Sequence, residues 1–434
     1  MKMLQKIREF LYPVKKRIKR LFYHFKIKRV SLNHFFEVKR VKKKKKIRVA
    51  FFVIEASIWK YDLLFQLLLE NPRFDPVIVI CPYKQYNDED QAYKMESCKA
   101  LFARKKYPHI LTISDDGNWL DVKEDVKPDI VFFTSSWPLS FPEYLIYNYL
   151  DTLTCFAGYG FHTTKLNVSN LNNPFHNLLW KRFYETESHL HMGKNFADNK
   201  AKNGVVCGYP GMDRMLKKNE KCEDLWKIKD PNIKRVIWAP HHTIPGINEN
   251  LLELSTFMTY WKFMTEITEK FRKTIQFAFK PHPLLREKLK RNKIWGKEKT
   301  EKYFEFWRDQ PNTFLAESDY IDLFSTSDAM IHDCGAFTAE YLYSGKPVLY
   351  LWRNDHIKEM FNEIGKKIID VHYKASGKED VLQFIDQQVL KGVDPLEEKR
   401  RSVFDKYIRP PKKQTASENI LDHLLEEFNP NYSQ

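Results

Sequence analysis

Short apolar runs recur along the chain, separated by stretches whose apolar residues repeat every three or four positions. The runs at 47–54, 74–81, 110–113, 128–134 and 153–157 read as buried strands, and 205–211 as the last strand of a series. The pattern restarts at 235–240, 274–280, 313–316, 329–332 and 348–351. Helical spacing falls at 59–70, 257–271, 320–325, 337–343 and 418–428, the last with Ser417 as its expected N-cap. Strands alternating with helices predict an α/β fold with parallel sheets covered on both faces. The charged stretch 212–232 reads as a linker, so two Rossmann-like domains are expected, at 47–225 and 232–395. A tail follows at 396–434.

Ahead of the first strand lies an arm, 1–46. Met3, Leu4, Ile7, Phe10, Leu11, Val14, Ile18, Leu21, Phe22 and Phe25 form one apolar helical face, and Lys and Arg fill the other. Charges interrupt every candidate signal-peptide core, and no run reaches the roughly 18 apolar residues of a spanning helix. A basic amphipathic helix with aromatic residues fits an anionic membrane surface. The alternative is a helix docked on the protein itself.

Charge sharpens this division. Residues 1–46 hold 18 Lys and Arg against two acids, which accounts for the whole net charge of +16, and the remaining residues balance. A neutral body argues against nucleic acid as partner. The six cysteines have no CxxC spacing, which suggests a reducing compartment and no zinc site. The expected location is the cytoplasmic face of the cell membrane, held peripherally.

Candidate chemistry gathers just after the predicted strands, where parallel sheets bind ligands. In 327–351 a strand is followed by a turn of small residues, Asp333, Cys334, Gly335 and Ala336, and then by a helix. Unpaired N–H groups there favour a phosphate. Lys280 and His282, the latter between two prolines, add a charge and an aimed donor. His241, His242 and Thr243 follow another strand, and Glu340 is placed to meet a ribose. The bland readings are a strand-capping His282, a turn at 241–243, a core His332 and a surface Glu340. After the run 153–157 come Gly160, His162 and Lys165, with His162 the candidate general base or an exposed loop histidine. His162, His176, His189 and His191 show no convincing metal-ligand spacing, so neither a metal nor a resident cofactor is expected.

These segments together resemble the CDP-glycerol glycerophosphotransferase family, the teichoic-acid primases and polymerases of bacterial envelopes. The likeness rests on Ala239 and Pro240 after a strand, on Lys280 to Pro283, on Ser327 to Asp333 with its small turn, and on Gly345 to Pro347. It covers roughly 233–355. It implies a GT-B-like architecture, two Rossmann-like domains facing a cleft, with a nucleotide-activated donor on the second. Lys280, His282, His242, Thr243, Glu340 and the turn 333–336 would hold that donor. Gly160 and Lys165 would meet a lipid-linked glycan acceptor, and His162 and His282 would be catalytic. The chain departs from the family in two places. Cys334, Gly335 and Ala336 stand where an aromatic and two serines are usual. The stretch 158–165 replaces a Trp-His-Gly-Thr-Pro element. A GT-B glycosyltransferase, a UDP-sugar epimerase and an inactive glycolipid-binding scaffold are the other readings.

Overall fold

A computed structural model describes residues 2–84, 88–113, 118–217, 222–244, 253–317 and 320–429. The side chains at 2–11, 13–15, 167 and 169 lie outside the described ones, and with them the apolar positions from Met3 to Val14. The chain forms two compact units. Unit 1 comprises Met1–Tyr159, Ser169–Gly211 and Gln414–Gln434, and unit 2 comprises Gly160–Val168 and Met212–Lys413.

In unit 1 the strands are β1 (Ile47–Val53), β2 (Phe74–Ile80), β3 (His109–Leu111), β4 (Ile130–Phe133), β5 (Leu153–Ala157), β6 (Lys181–Tyr184) and β7 (Gly204–Val206). They form one all-parallel sheet in the order β3-β2-β1-β4-β5-β6-β7. Unit 2 holds β8 (Lys234–Ala239), β9 (Ile275–Phe279), β10 (Thr313–Leu315), β11 (Ala329–His332), β12 (Val348–Leu351) and β13 (Tyr373–Ala375). Its sheet is also all parallel, in the order β10-β9-β8-β11-β12-β13. Both orders reverse direction once, between β1 and β4 and between β8 and β11. This is the doubly wound Rossmann topology, which opens a crevice beyond the strand ends at the reversal. Burial on both sheet faces explains the unbroken apolar runs.

The units depart from the sequence expectation in two places. The segment 160–168, expected within the first domain with its acceptor residues, packs in unit 2. The expected tail is divided, with residues to Lys413 in unit 2 and the helix Ala416–Glu427 in unit 1. That helix buries Ile420 and Leu424, and Phe428 after it, in the core over β1 and β5. Its N-cap is Thr415, not Ser417. Thr415 Oγ1 accepts from Glu418 N, and the Glu418 carboxylate accepts from Thr415 N, a capping box.

The arm is one helix, Lys2–Lys42, and its second half belongs to the fold. Val30, His34 and Val41 are buried, and Ile27 and Val38 pack against the core. The buried Asp129 carboxylate accepts from Arg40 Nη2 (2.9 Å), Lys44 Nζ (2.6 Å) and Arg48 N (3.1 Å). Arg73 donates to the carbonyls of Lys42 and Lys44, closing the helix end. The opposite side leaves Ile18, Leu21, Phe22, Phe25, Leu32, Phe35 and Phe36 exposed. Its exposed neighbours Lys16, Arg17, Lys19, Lys26, Lys28 and Arg29 are cationic. Among the described residues, no helix is long and apolar enough to cross a membrane.

Candidate anion site in unit 2

Three histidines meet at the carboxyl ends of β8 and β9. The ring centroids of His242 and His282 are 4.1 Å apart, those of His241 and His242 4.4 Å, and those of His241 and His282 5.2 Å. All three are half-buried. His282 is the N-cap of the helix Pro283–Arg291, its Nδ1 accepting from Leu284 N at 3.1 Å. His242 Nδ1 lies 2.8 Å from Lys288 Nζ. Thr243 N donates to His241 Nδ1 at 3.3 Å, with Thr243 Oγ1 at 2.8 Å from the same nitrogen.

In each ring Nδ1 is therefore the acceptor. Burial, the largest cause, and the neighbouring cations hold all three below the usual histidine range, His242 at about 4. A neutral imidazole that accepts at Nδ1 carries its proton on Nε2. The cluster thus presents three N–H donors. One nitrogen from each ring lies within 4.8 Å of the others, close enough for a cation. But a cation needs lone pairs, and a metal at the three Nε2 atoms would require all three rings to change tautomer and give up these contacts. Lys280, buried at the end of β9, adds positive charge beside His282. The chemistry of this donor set is that of an anion site.

Asp333 has a different role from the one the sequence suggests. Its carboxylate is fully buried and accepts from His241 N, Thr256 N and Thr256 Oγ1. Burial raises its pKa to about 6, against the lowering effect of those donors. It clamps the loop after β8 and the start of the helix Phe257–Lys270 to the end of β11, so it positions His241. Cys334 is likewise turned inward. Its N–H donates to His332 Nδ1 (3.2 Å) and its thiol to Ala239 O (3.2 Å). His332 is a core residue, fully buried against Tyr350 and His372.

The turn 333–336 is covered by the segment 160–164. Thr163 Oγ1 donates to Gly335 O at 2.7 Å, and a Cβ on Gly335 would stand 3.1 Å from Thr164 Cγ2. A Cβ added on Gly160 would stand 3.7 Å from Ala336 Cβ. Glu340 is buried and engaged twice, accepting from Phe161 N (3.0 Å) and Tyr320 Oη (2.7 Å). The His162 carbonyl accepts from Asn362 Nδ2 at 3.0 Å, and Thr164 bridges to Phe361. Lys165 is exposed and pairs with Glu359. Thr243, expected to touch a donor, is buried. Its hydroxyl accepts from Leu254 N and orients His241. His241 and Lys288 are the site residues that the spacing underweights. Lys288 is about 1.7 helical turns beyond His282, a spacing that places the two on different faces.

No protein-family model and no curated protein matches the chain. Solved structures do. A crystal structure of UDP-N-acetylglucosamine 2-epimerase superposes over 90% of this chain and 98% of its own, at 19% identity and TM-score 0.55. The S. aureus MnaA–UDP co-structure gives 90%, 99%, 16% and 0.56. A variant of the wall teichoic acid polymerase TagF gives 98%, 98%, 11% and 0.57. What is shared at these identities is the fold, a GT-B type built of two Rossmann-like units.

Proposed function

We propose that the chain is a transferase moving glycerol phosphate, or a related polyol phosphate, from a CDP-activated donor to a hydroxyl of a lipid-linked envelope or capsule polymer. The observation that carries this reading is the set of Nε2–H donors on His241, His242 and His282 beside Lys280. A diphosphate needs donors that are aimed in advance, because then the protein reorganises little as charge moves in the transition state. The site lies next to the strand-order reversal of unit 2, where this topology binds nucleotides. The likeness to TagF along nearly the whole of both chains is further support.

In this reading the acceptor hydroxyl oxygen attacks the donor's distal phosphorus. The bond from that phosphorus to the bridging oxygen breaks, and CMP leaves with the electron pair. The hydroxyl proton passes to His162, on the segment that Asn362 and Glu340 hold in unit 2. Lys280 and His282 stabilise the charge on the diphosphate. The exposed apolar and basic side of the N-terminal helix would rest on an anionic membrane, at the inner face of the cell, where a lipid-linked acceptor is found.

A second reading, transfer of a sugar from a nucleotide sugar, is favoured by the equally good superposition on UDP-sugar enzymes. The two differ in the nucleotide released. Purified protein is screened by thermal shift against CDP-glycerol, CDP-ribitol, CMP, UDP-sugars and UDP. Products are then analysed with the donor that binds. Stabilisation by cytidine nucleotides with release of CMP supports polyol-phosphate transfer. Stabilisation by uridine nucleotides with release of UDP replaces it with glycosyl transfer. An altered UDP-sugar without acceptor means epimerisation, and no stabilisation by any nucleotide favours a scaffold.

A further inference from the structure

Unit 1 has its own strand-order reversal, between β1 and β4, and a cavity of about 320 Å³ opens there. Phe52, Ile54, Cys81, Phe133, Tyr144 and Phe175 line it. Several of the polar groups around it are already engaged. Thr134 Oγ1 donates to Phe52 O (2.8 Å) and Ser140 Oγ to Pro82 O (2.7 Å). Ser135 Oγ accepts from Trp137 N, and Asn173 Oδ1 from Phe175 N. Among the described residues, none with a charge lines the cavity.

This composition selects against the polar parts of a donor or a glycan. A sugar carries a hydroxyl on nearly every carbon, and each one buried without a partner loses its hydration uncompensated. A phosphate would find no cation. A hydrocarbon meets neither penalty and gains with each CH₂ buried.

Two lining residues, Trp137 and Tyr147, are also exposed, so they mark the opening. Such aromatic residues favour a membrane–water boundary. Lys26 of the N-terminal helix sits over the Tyr147 ring at 4.9 Å from its centroid. Ile27 and Val30 of the same helix pack into the core cluster that contains Phe52, Phe133 and Phe175. Next to Lys26, Phe25 is exposed. The helix therefore connects the rim of the cavity to an exposed apolar face.

We propose that this cavity binds a hydrocarbon segment of a membrane lipid, an alkyl or isoprenoid chain, with an anionic headgroup held near Lys26. The source of the chain rests on the membrane reading given above; the chemistry of the cavity does not. The test therefore uses soluble monomeric probes with the full chain, decyl phosphate and farnesyl phosphate, each also prepared with a diazirine at the end of the chain. Irradiation followed by peptide mapping is expected to place the label within residues 133–147, and excess glycerol phosphate is expected not to displace it. Ser136→Phe, which puts a ring into the cavity from its loop, should weaken probe binding at least tenfold. Label confined to unit 2, displacement by glycerol phosphate, or no binding of either probe would overturn the proposal. Should Ser136→Phe not fold, the labelling of the wild-type chain decides. Preference for decyl or farnesyl phosphate assigns the chain class. Labelling of the cavity without flotation on anionic vesicles keeps the lipid site and removes the membrane reading.

Discussion

Glu340 Oε1 accepts the backbone N–H of Phe161 at 3.0 Å, across 179 residues of sequence. With Thr163 on Gly335 and Asn362 on the His162 carbonyl, it fixes the segment 160–164 over the turn that ends β11. Glu340→Ala would leave a buried N–H and the Tyr320 hydroxyl without their acceptor. It should cost about 2–4 kcal/mol of stability, whereas Glu340→Gln, which keeps a carbonyl oxygen, should cost less than half of that. Urea denaturation of both variants checks the order.

His282 both caps a helix and offers Nε2–H to the site. His282→Asn restores a side-chain cap, so its stability should stay within about 1 kcal/mol of wild type. Its turnover should fall by about 10²–10³. Near-normal turnover of a folded His282→Asn enzyme would remove His282 from the proposed catalytic group.

A Cβ on Gly365 would stand 2.1 Å from Thr163 O, a backbone atom that cannot rotate aside. Gly365→Ala should therefore displace the segment bearing His162, at about 1–3 kcal/mol. The informative comparison is nucleotide affinity against turnover. Affinity within about threefold of wild type with turnover reduced at least tenfold is expected, because the histidine cluster is untouched.

The acid side of the stability profile follows from buried imidazoles. Burial lowers the pKa of His241, His242, His282, His332 and His372 in unit 2, the first, third and fourth well below 6.5, His242 to about 4 and His372 to about 3. Between about pH 4 and 6.5 the unfolded chain binds more protons at these sites, so stability rises with pH through that window. Asp333, raised to about 6, has the opposite sign. The fold keeps a proton that the unfolded carboxyl has released, and this contribution is lost as pH rises through about 6. Five histidines outweigh one aspartate. The urea midpoint should climb from about pH 4.5 to 6.5 and flatten above about 7, and a falling midpoint over that range would contradict this balance.

Phe22, Phe25 and Phe36 are exposed on the side of the N-terminal helix opposite its docked residues. Replacing all three by Ser should leave the thermal midpoint unchanged within about 2 °C, since exposed sites contribute little to the fold. Flotation with anionic vesicles should fall at least about tenfold. Retained flotation would show that the basic residues suffice.

Much of the sheet architecture was legible because strands buried on both faces are written as unbroken apolar runs. β5, β11 and β12 begin and end at the expected residues. β6 carries no apolar-run signal because it opens on Lys181 and Arg182. Lys181 pairs with the distant Glu427, and Arg182 lies over the ring of Tyr184 two residues along the same strand, 4.6 Å from its centroid. The histidines after β8 and β9 were legible from their place at strand ends. Their shared tautomer was not, since it depends on Lys288, Thr243 and Leu284 N. Nor does any local pattern announce that 160–168 packs in unit 2. That is decided by Gly365, Asn362 and Glu340, far along the chain.

The chain passes between its two units at 159/160, 168/169, 211/212 and 413/414. Neither unit is thus a contiguous cassette. A fragment running from 212 to 413 would lack the cover over its own turn, and one ending at 211 would lack the closing helix with Ile420 and Leu424. Recombination or truncation at the obvious linker would break both halves together, so the two must be inherited, and engineered, as a single piece.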